Sequence, residues 1–179
     1  MKIKNLLLPL VAITLSQATL ADSGIINFQG QVVEDSCTTA VDGGTSPTVV
    51  TLPTVLTTAL AAAGQTAGES APFNFSVSGC DASVAARGVH FSLTSTSFDT
   101  TNNDLLANTA ATGAATNVGI EILEGGAAIP FAGAANRSKD ITIASGTGVS
   151  DDFTAQYKAT GVATAGAVTA SMNWDLVYN

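Results

Sequence analysis

The stretch "ASMNWDLVYN", residues 170–179, sets Ala170, Met172, Trp174, Leu176 and Tyr178 against Ser171, Asn173, Asp175, Val177 and Asn179. Alternation with a period of two marks a β-strand with one buried and one wet face. The strand reaches the last residue but one of the sequence, so the expectation is a strand with no later segment to hydrogen-bond along its free side. An unpaired apolar edge is an aggregation template that proteins normally cover or charge.

Other short β-type runs precede it: Thr48 to Leu52, Phe73 to Ser78, Val89 to Thr94, Val118 to Leu123, Ile141 to Ile143 and Phe153 to Ala159. Clusters of Gly, Ser, Thr, Asn and Asp separate them. Regularly spaced short strands with turn-rich connections predict an all-β sandwich. One helical segment is expected at "VLTTALAAA" (55–63), stopped by Gly64. Within 89–94, Val89, Phe91 and Leu93 point one way and His90 the other, which makes His90 a surface residue rather than a ligand or base.

A second alternating stretch lies near the start, "GIINFQGQVVEDSC" (24–37). Gly24, Ile26, Phe28, Gly30 and Val32 share one face, and Asn27, Gln29 and Gln31 the other. Ahead of it, Lys2 and Lys4, the apolar run Leu6 to Leu15 and the small residues Thr19 and Ala21 have the three-part layout of a secretory signal peptide. Cleavage is expected after Ala21, with Ala18 the alternative. The division read from the sequence is therefore a signal peptide at 1–21, an N-terminal strand at 22–33 and one domain at 34–179.

The formal charge of −8 becomes −10 without Lys2 and Lys4, leaving Arg87, Arg137, Lys139 and Lys158 as the cations. So few cations argue against nucleic-acid binding. Cys37 and Cys80 both fall in the exported part, where an even count reads as one disulfide. Closing a loop of about 44 residues is worth roughly 4 kcal/mol in the chain-entropy model. Two thiols and the single histidine are too few ligands for zinc, so no metal and no cofactor are expected.

Asp99, Asp104, Asp151 and Asp152 could be imagined in catalysis, and "DTTNND" (99–104) as a calcium loop. Neither the ordered ligand spacing with its closing Glu nor a Gly-x-Ser-x-Gly nucleophile motif is found, and carboxylates in such turns read as turn formers. No enzyme is expected. The triplet "NRS" (136–138) matches a glycosylation acceptor, a short pattern that arises often by chance.

Taken together, "IINFQGQVVEDSC" (25–37), "FNFSVSGC" (73–80), "ATNVGIEILEG" (115–125) and "FTAQYKATGVATAGAVTASMNWDLVYN" (153–179) resemble the type 1-like fimbrial subunits, the pilins of the chaperone-usher pathway of Gram-negative bacteria. The resemblance implies an incomplete immunoglobulin-like sandwich that lacks its last strand and is completed by donor-strand complementation. In that arrangement Ile26, Phe28 and Val32 would plug a neighbour's groove, and Gly30 would let the backbones approach at a shallow point. Met172, Trp174, Leu176 and Tyr178 would form a groove wall and the surface read by a periplasmic chaperone, which hands the subunit to an outer-membrane usher. Cys37 and Cys80 match the family's disulfide. The implied function is a structural subunit of an adhesive surface fimbrium, exported through the periplasm, with the main rod favoured over a minor adaptor. The alternative is a self-contained secreted β-sandwich that binds as a monomer.

Overall fold

The computed structural model describes residues 37–44, 48–99, 102, 104–131 and 136–179. Among the described residues ten strands form in chain order: β1 (Thr38–Val41), β2 (Thr66–Ala67), β3 (Phe75–Ser78), β4 (Val89–Thr94), β5 (Leu106–Ala107), β6 (Val118–Glu124), β7 (Ala127–Ala128), β8 (Gly148–Val149), β9 (Phe153–Ala159) and β10 (Asn173–Tyr178). The strands pair as one sheet in the order β2-β9-β6-β5, with β7 folded back on β6, and as two smaller groups, β1-β3-β8 and β10-β4. Every ladder between these strands is antiparallel, while the isolated bridge Ala114–Ala167 is parallel.

The long strands form where alternation is strict. Val89, Phe91 and Leu93 of β4 are each 0% exposed, while His90, Ser92 and Thr94 between them stay partly wet. The centre of the larger sheet departs from that rule. β6 lies between β9 and β5, and all its residues but the half-buried Leu123 are buried, on both faces, Glu121 included. That carboxylate is tolerated because Lys158 Nζ, on β9, donates to it at 2.6 Å and Gln156 Nε2 at 2.7 Å, so the buried charge has both an ion partner and a hydrogen bond. The β6-β7 hairpin turns at Gly125 and Gly126, both with positive φ (56° and 81°), as a two-residue turn of this twist requires.

One core joins the sheets: Phe75 and Val77 from β3, Phe91 from β4, Ile122 from β6 and Ala155 from β9. Phe75 and Phe91 stack with centroids 4.6 Å apart, and Phe153 meets Phe75 edge-on at 5.1 Å. Each such ring contributes on the order of 1.5–3 kcal/mol by burial, and each pair about 0.5–1.5 more. A smaller cluster of Leu60, Ala115, Val118, Ala159 and Ala163 sits at one side, and Tyr157 touches both.

Three expectations need correction. The helix read at 55–63 is a single 3-10 turn, Thr57–Leu60, in which only Leu60 is buried, because the run has no apolar stripe to hold a longer helix down. Residues 48–52 are not in a strand, since they form no ladder with any described residue. Residues 141–143 contribute only the bridge between Ile141 and Val89. One short helix, Ala82–Ala85, was not anticipated.

Candidate functional site

β10 pairs with β4 from Asn173–Thr94 to Tyr178–Val89, and among the described residues no strand pairs with its other edge. The inward row of this strand and its approach consists of Val168, Ala170, Met172, Trp174, Leu176 and Tyr178. All six pack against the core, yet each is only half-buried. β4, which faces the same core, has its inward row fully buried. The difference arises because something covers β4 on both edges, with Ser138 N–H and Ile141 N–H donating to Phe91 O and Val89 O on the side away from β10.

Beside this edge runs a cleft of about 670 Å³. Val168 to Trp174 make one rim and residues 48–52 the other, with Val50 and Leu52 turned inward and half-buried. Phe73, Phe75, Ile122 and Ala155 make the floor. No Asp, Glu, Lys, Arg or His is among the lining residues, so the cleft can recognise an occupant by apolar shape and by the backbone groups of β10. The cleft thus lies between the start of β10 with the segment leading into it and residues 48–52, which belong to no strand among the described residues.

Of the residues singled out from the sequence, Met172 and Trp174 line this cleft, and Leu176 and Tyr178 continue the same face. Cys37 and Cys80 are joined in a disulfide, with Cα atoms 4.3 Å apart, beside the Thr38–Ser78 end of the β1-β3 ladder. Ile26, Phe28, Gly30 and Val32 lie outside the described residues. The opposite rim at Val50 and Leu52 and the half-buried Tyr157 were not read as part of a site. The inward turn of Val50 and Leu52 follows the period-two pattern of 48–52, so that signal was present in the sequence.

The charged groups lie elsewhere. Glu124, at the end of β6, is buried, and its carboxyl sits above its ordinary range because burial disfavours the charged form, although the Lys139 N–H hydrogen bond at 2.8 Å and the Lys139 charge oppose this. Lys139 in turn donates to Asp151 at 2.6 Å, a bond that holds its ammonium above the usual value. Asp99 Oδ1 accepts the Asn102 N–H, and Asn102 Oδ1 the Asp104 N–H, the short-range bonds of turn formers. Ser138 of the "NRS" triplet is 2% exposed and its hydroxyl accepts the Phe91 N–H, so the triplet is folded into the β4 edge.

A sequence profile described as Fimbrial protein matches residues 26–179. The chain belongs to the fimbrial protein family. Among fimbrial relatives, the type-1 fimbrial protein, A chain, of Escherichia coli (strain K12) is 37% identical, with 99% of this chain and 100% of the relative covered. The minor fimbrial subunit HifD of Haemophilus influenzae is 33% identical over 96% of this chain and 82% of its own. The P pilus rod subunit PapA has a similar fold, with a TM-score of 0.53 at 21% identity over 86% of this chain and 99% of that one. The fimbrial chain is thus an immunoglobulin-like β-sandwich in which, among the described residues, no strand pairs with the outer edge of β10.

Proposed function

We propose that this fimbrial subunit is a structural building block of a surface fimbrium and polymerises by strand addition. The observation that carries the reading is the cleft of about 670 Å³ between residues 48–52 and Val168–Trp174, beside the edge of β10 with which no strand pairs among the described residues. The occupant proposed for it is the stretch 24–33 of another copy, with Ile26, Phe28 and Val32 entering the cleft and Gly30 allowing close approach where the floor is shallow. Such addition combines generic backbone hydrogen bonds with side-chain pockets for alternate residues. Three apolar side chains moved from water into the cleft are worth on the order of 5–9 kcal/mol.

Before assembly a periplasmic chaperone covers the same edge, with Met172, Trp174, Leu176 and Tyr178 as the surface it reads, and an outer-membrane usher receives the complex. The product is the fimbrium at the surface of a Gram-negative cell, and its role is non-catalytic. Within the fimbrium, a main rod subunit is proposed over a minor adaptor.

Grafting residues 24–33 onto the far end of the chain through a short linker tests the reading. The graft should give a stable monomer from a protein that otherwise polymerises or unfolds readily. An ungrafted protein that is equally stable and never polymerises would overturn it.

A further inference from the structure

We infer that Asn179 is a positioning residue that clasps β10 in register for strand addition, acting through His90 and Asp140. This rests on the strand-acceptor reading above. β10 is held through one edge alone among the described residues, so its last rungs are where fraying is expected. Asn179 sits directly beyond those rungs and is bound three times. Its backbone N–H donates to Gly88 O at 3.2 Å, its amide Nδ2 donates to Asp140 Oδ1 at 3.0 Å, and its Oδ1 meets His90 Nδ1 at 2.6 Å.

The chain of donors fixes the chemistry. The Asp140 carboxylate only accepts, so the Asn179 amide nitrogen faces it and the amide oxygen faces His90, whose Nδ1 must carry the proton. Asp140 is itself held by Arg137. His90 belongs to β4, whereas Asp140 belongs to the segment on the far side of β4, which pairs there through Arg137–Ser92 and Ile141–Val89. The Asn179 side chain therefore reaches over β4 and ties β10 to the row beyond it. At the opposite end of the strand the Ser95 hydroxyl donates to Ser171 O at 3.1 Å, so β10 is pinned by side chains at both ends. A strand that must offer its free backbone groups to an incoming partner binds it only in the fraction of molecules where those groups are in place.

The experiment uses the purified exported protein and its N179A, D140A and D140N variants, with a synthetic peptide of residues 24–33 as probe. N179A should raise amide exchange at Val177, whose N–H faces β4, by about tenfold, as expected for losing two side-chain hydrogen bonds, with β6 and β9 unchanged, and should slow peptide uptake to a similar degree. D140A should mimic N179A without adding to it in the double variant, while D140N, which keeps an acceptor oxygen, should restore both readouts. Exchange that rises uniformly across the sandwich, or uptake at the wild-type rate with β10 deprotected, would overturn the clasp alone. A wild-type protein that takes up no peptide would instead bring down the acceptor reading and the clasp's purpose with it.

Discussion

Trp174 stands edge-on to both Phe75 and Phe91, with centroid separations of 5.8 and 5.5 Å, and is half-buried while both phenylalanines are fully enclosed. It joins β10 to the floor of the cleft and leaves part of its indole at the rim. As the single tryptophan of the sequence, it is a built-in reporter of what enters. Adding the 24–33 peptide should shift its emission to shorter wavelength and slow quenching by acrylamide. W174A should cost about 2–3 kcal/mol, less than the roughly 3–5 of a fully buried aromatic, because part of the ring is already wet. Denaturant titration of the two proteins checks the second figure, and an unmoved emission spectrum would remove the cleft as the peptide's site.

The disulfide ties the start of β1 to the end of β3 across a separation of 43 residues. Opening a loop of this length should lower stability by about 4 kcal/mol in the chain-entropy account. The C37S/C80S double variant, compared with wild type by urea unfolding, should show that loss without a change in far-ultraviolet circular dichroism under native conditions.

Gly68 has φ +66°, and a Cβ there would meet Val55 Cγ1 at 2.7 Å and the Tyr157 ring at 2.8 Å. Left-handed backbone with a side chain costs about 1–2 kcal/mol, and forcing a methyl into packed surroundings about 1–3 more. G68A should therefore lose roughly 2–5 kcal/mol. Because Tyr157 lines the cleft as well, the variant should also weaken peptide uptake beyond what its stability loss in the rest of the sandwich explains. Peptide titration under conditions where both proteins are folded distinguishes the two effects.

Burial makes the folded protein hold the Glu124 proton to higher pH than the unfolded chain, whose carboxyl titrates near 4.5. The folded state then binds more protons than the unfolded state across that interval, so stability from this group is full below the unfolded value and is lost as pH rises through the folded one. E124Q retains an oxygen for the Lys139 N–H and removes the titration. Its unfolding midpoint should exceed that of wild type at pH 7, and the difference should shrink towards zero as pH falls to about 4. A difference that is constant with pH would mean that the Glu124 charge is not the cause.

The strands that the sequence disclosed are those whose pattern is intrinsic. Val89–Thr94 and Phe153–Ala159 form as read, because each alternates strictly and buries one face. The two-residue strands β2, β5, β7 and β8 carry no such pattern and exist only because a longer neighbour offers a ladder. Residues 55–63 misled through composition: alanine favours helix, but one buried leucine does not hold it against a sandwich. The site was half legible. The face of Met172, Trp174, Leu176 and Tyr178 is written in the alternation, whereas Tyr157, the Val50–Leu52 rim and the Asn179–His90–Asp140 bonds depend on segments that meet only in three dimensions.

The pairing of the cations has a consequence for digestion. Apart from Lys2 and Lys4, the chain has four residues after which a trypsin-like protease could cut. Lys158 lies within β9, Arg137 bridges to Ser92, the Lys139 N–H is bonded to Glu124, and the Arg87 N–H is bonded to Val84 O. A protease needs an extended, locally unfolded segment, and each of these bonds is anchored in folded backbone. The largely exposed connections at 53–65 and 108–114 contain no lysine or arginine at all. For enzymes of that specificity, those two stretches hold nothing to cleave.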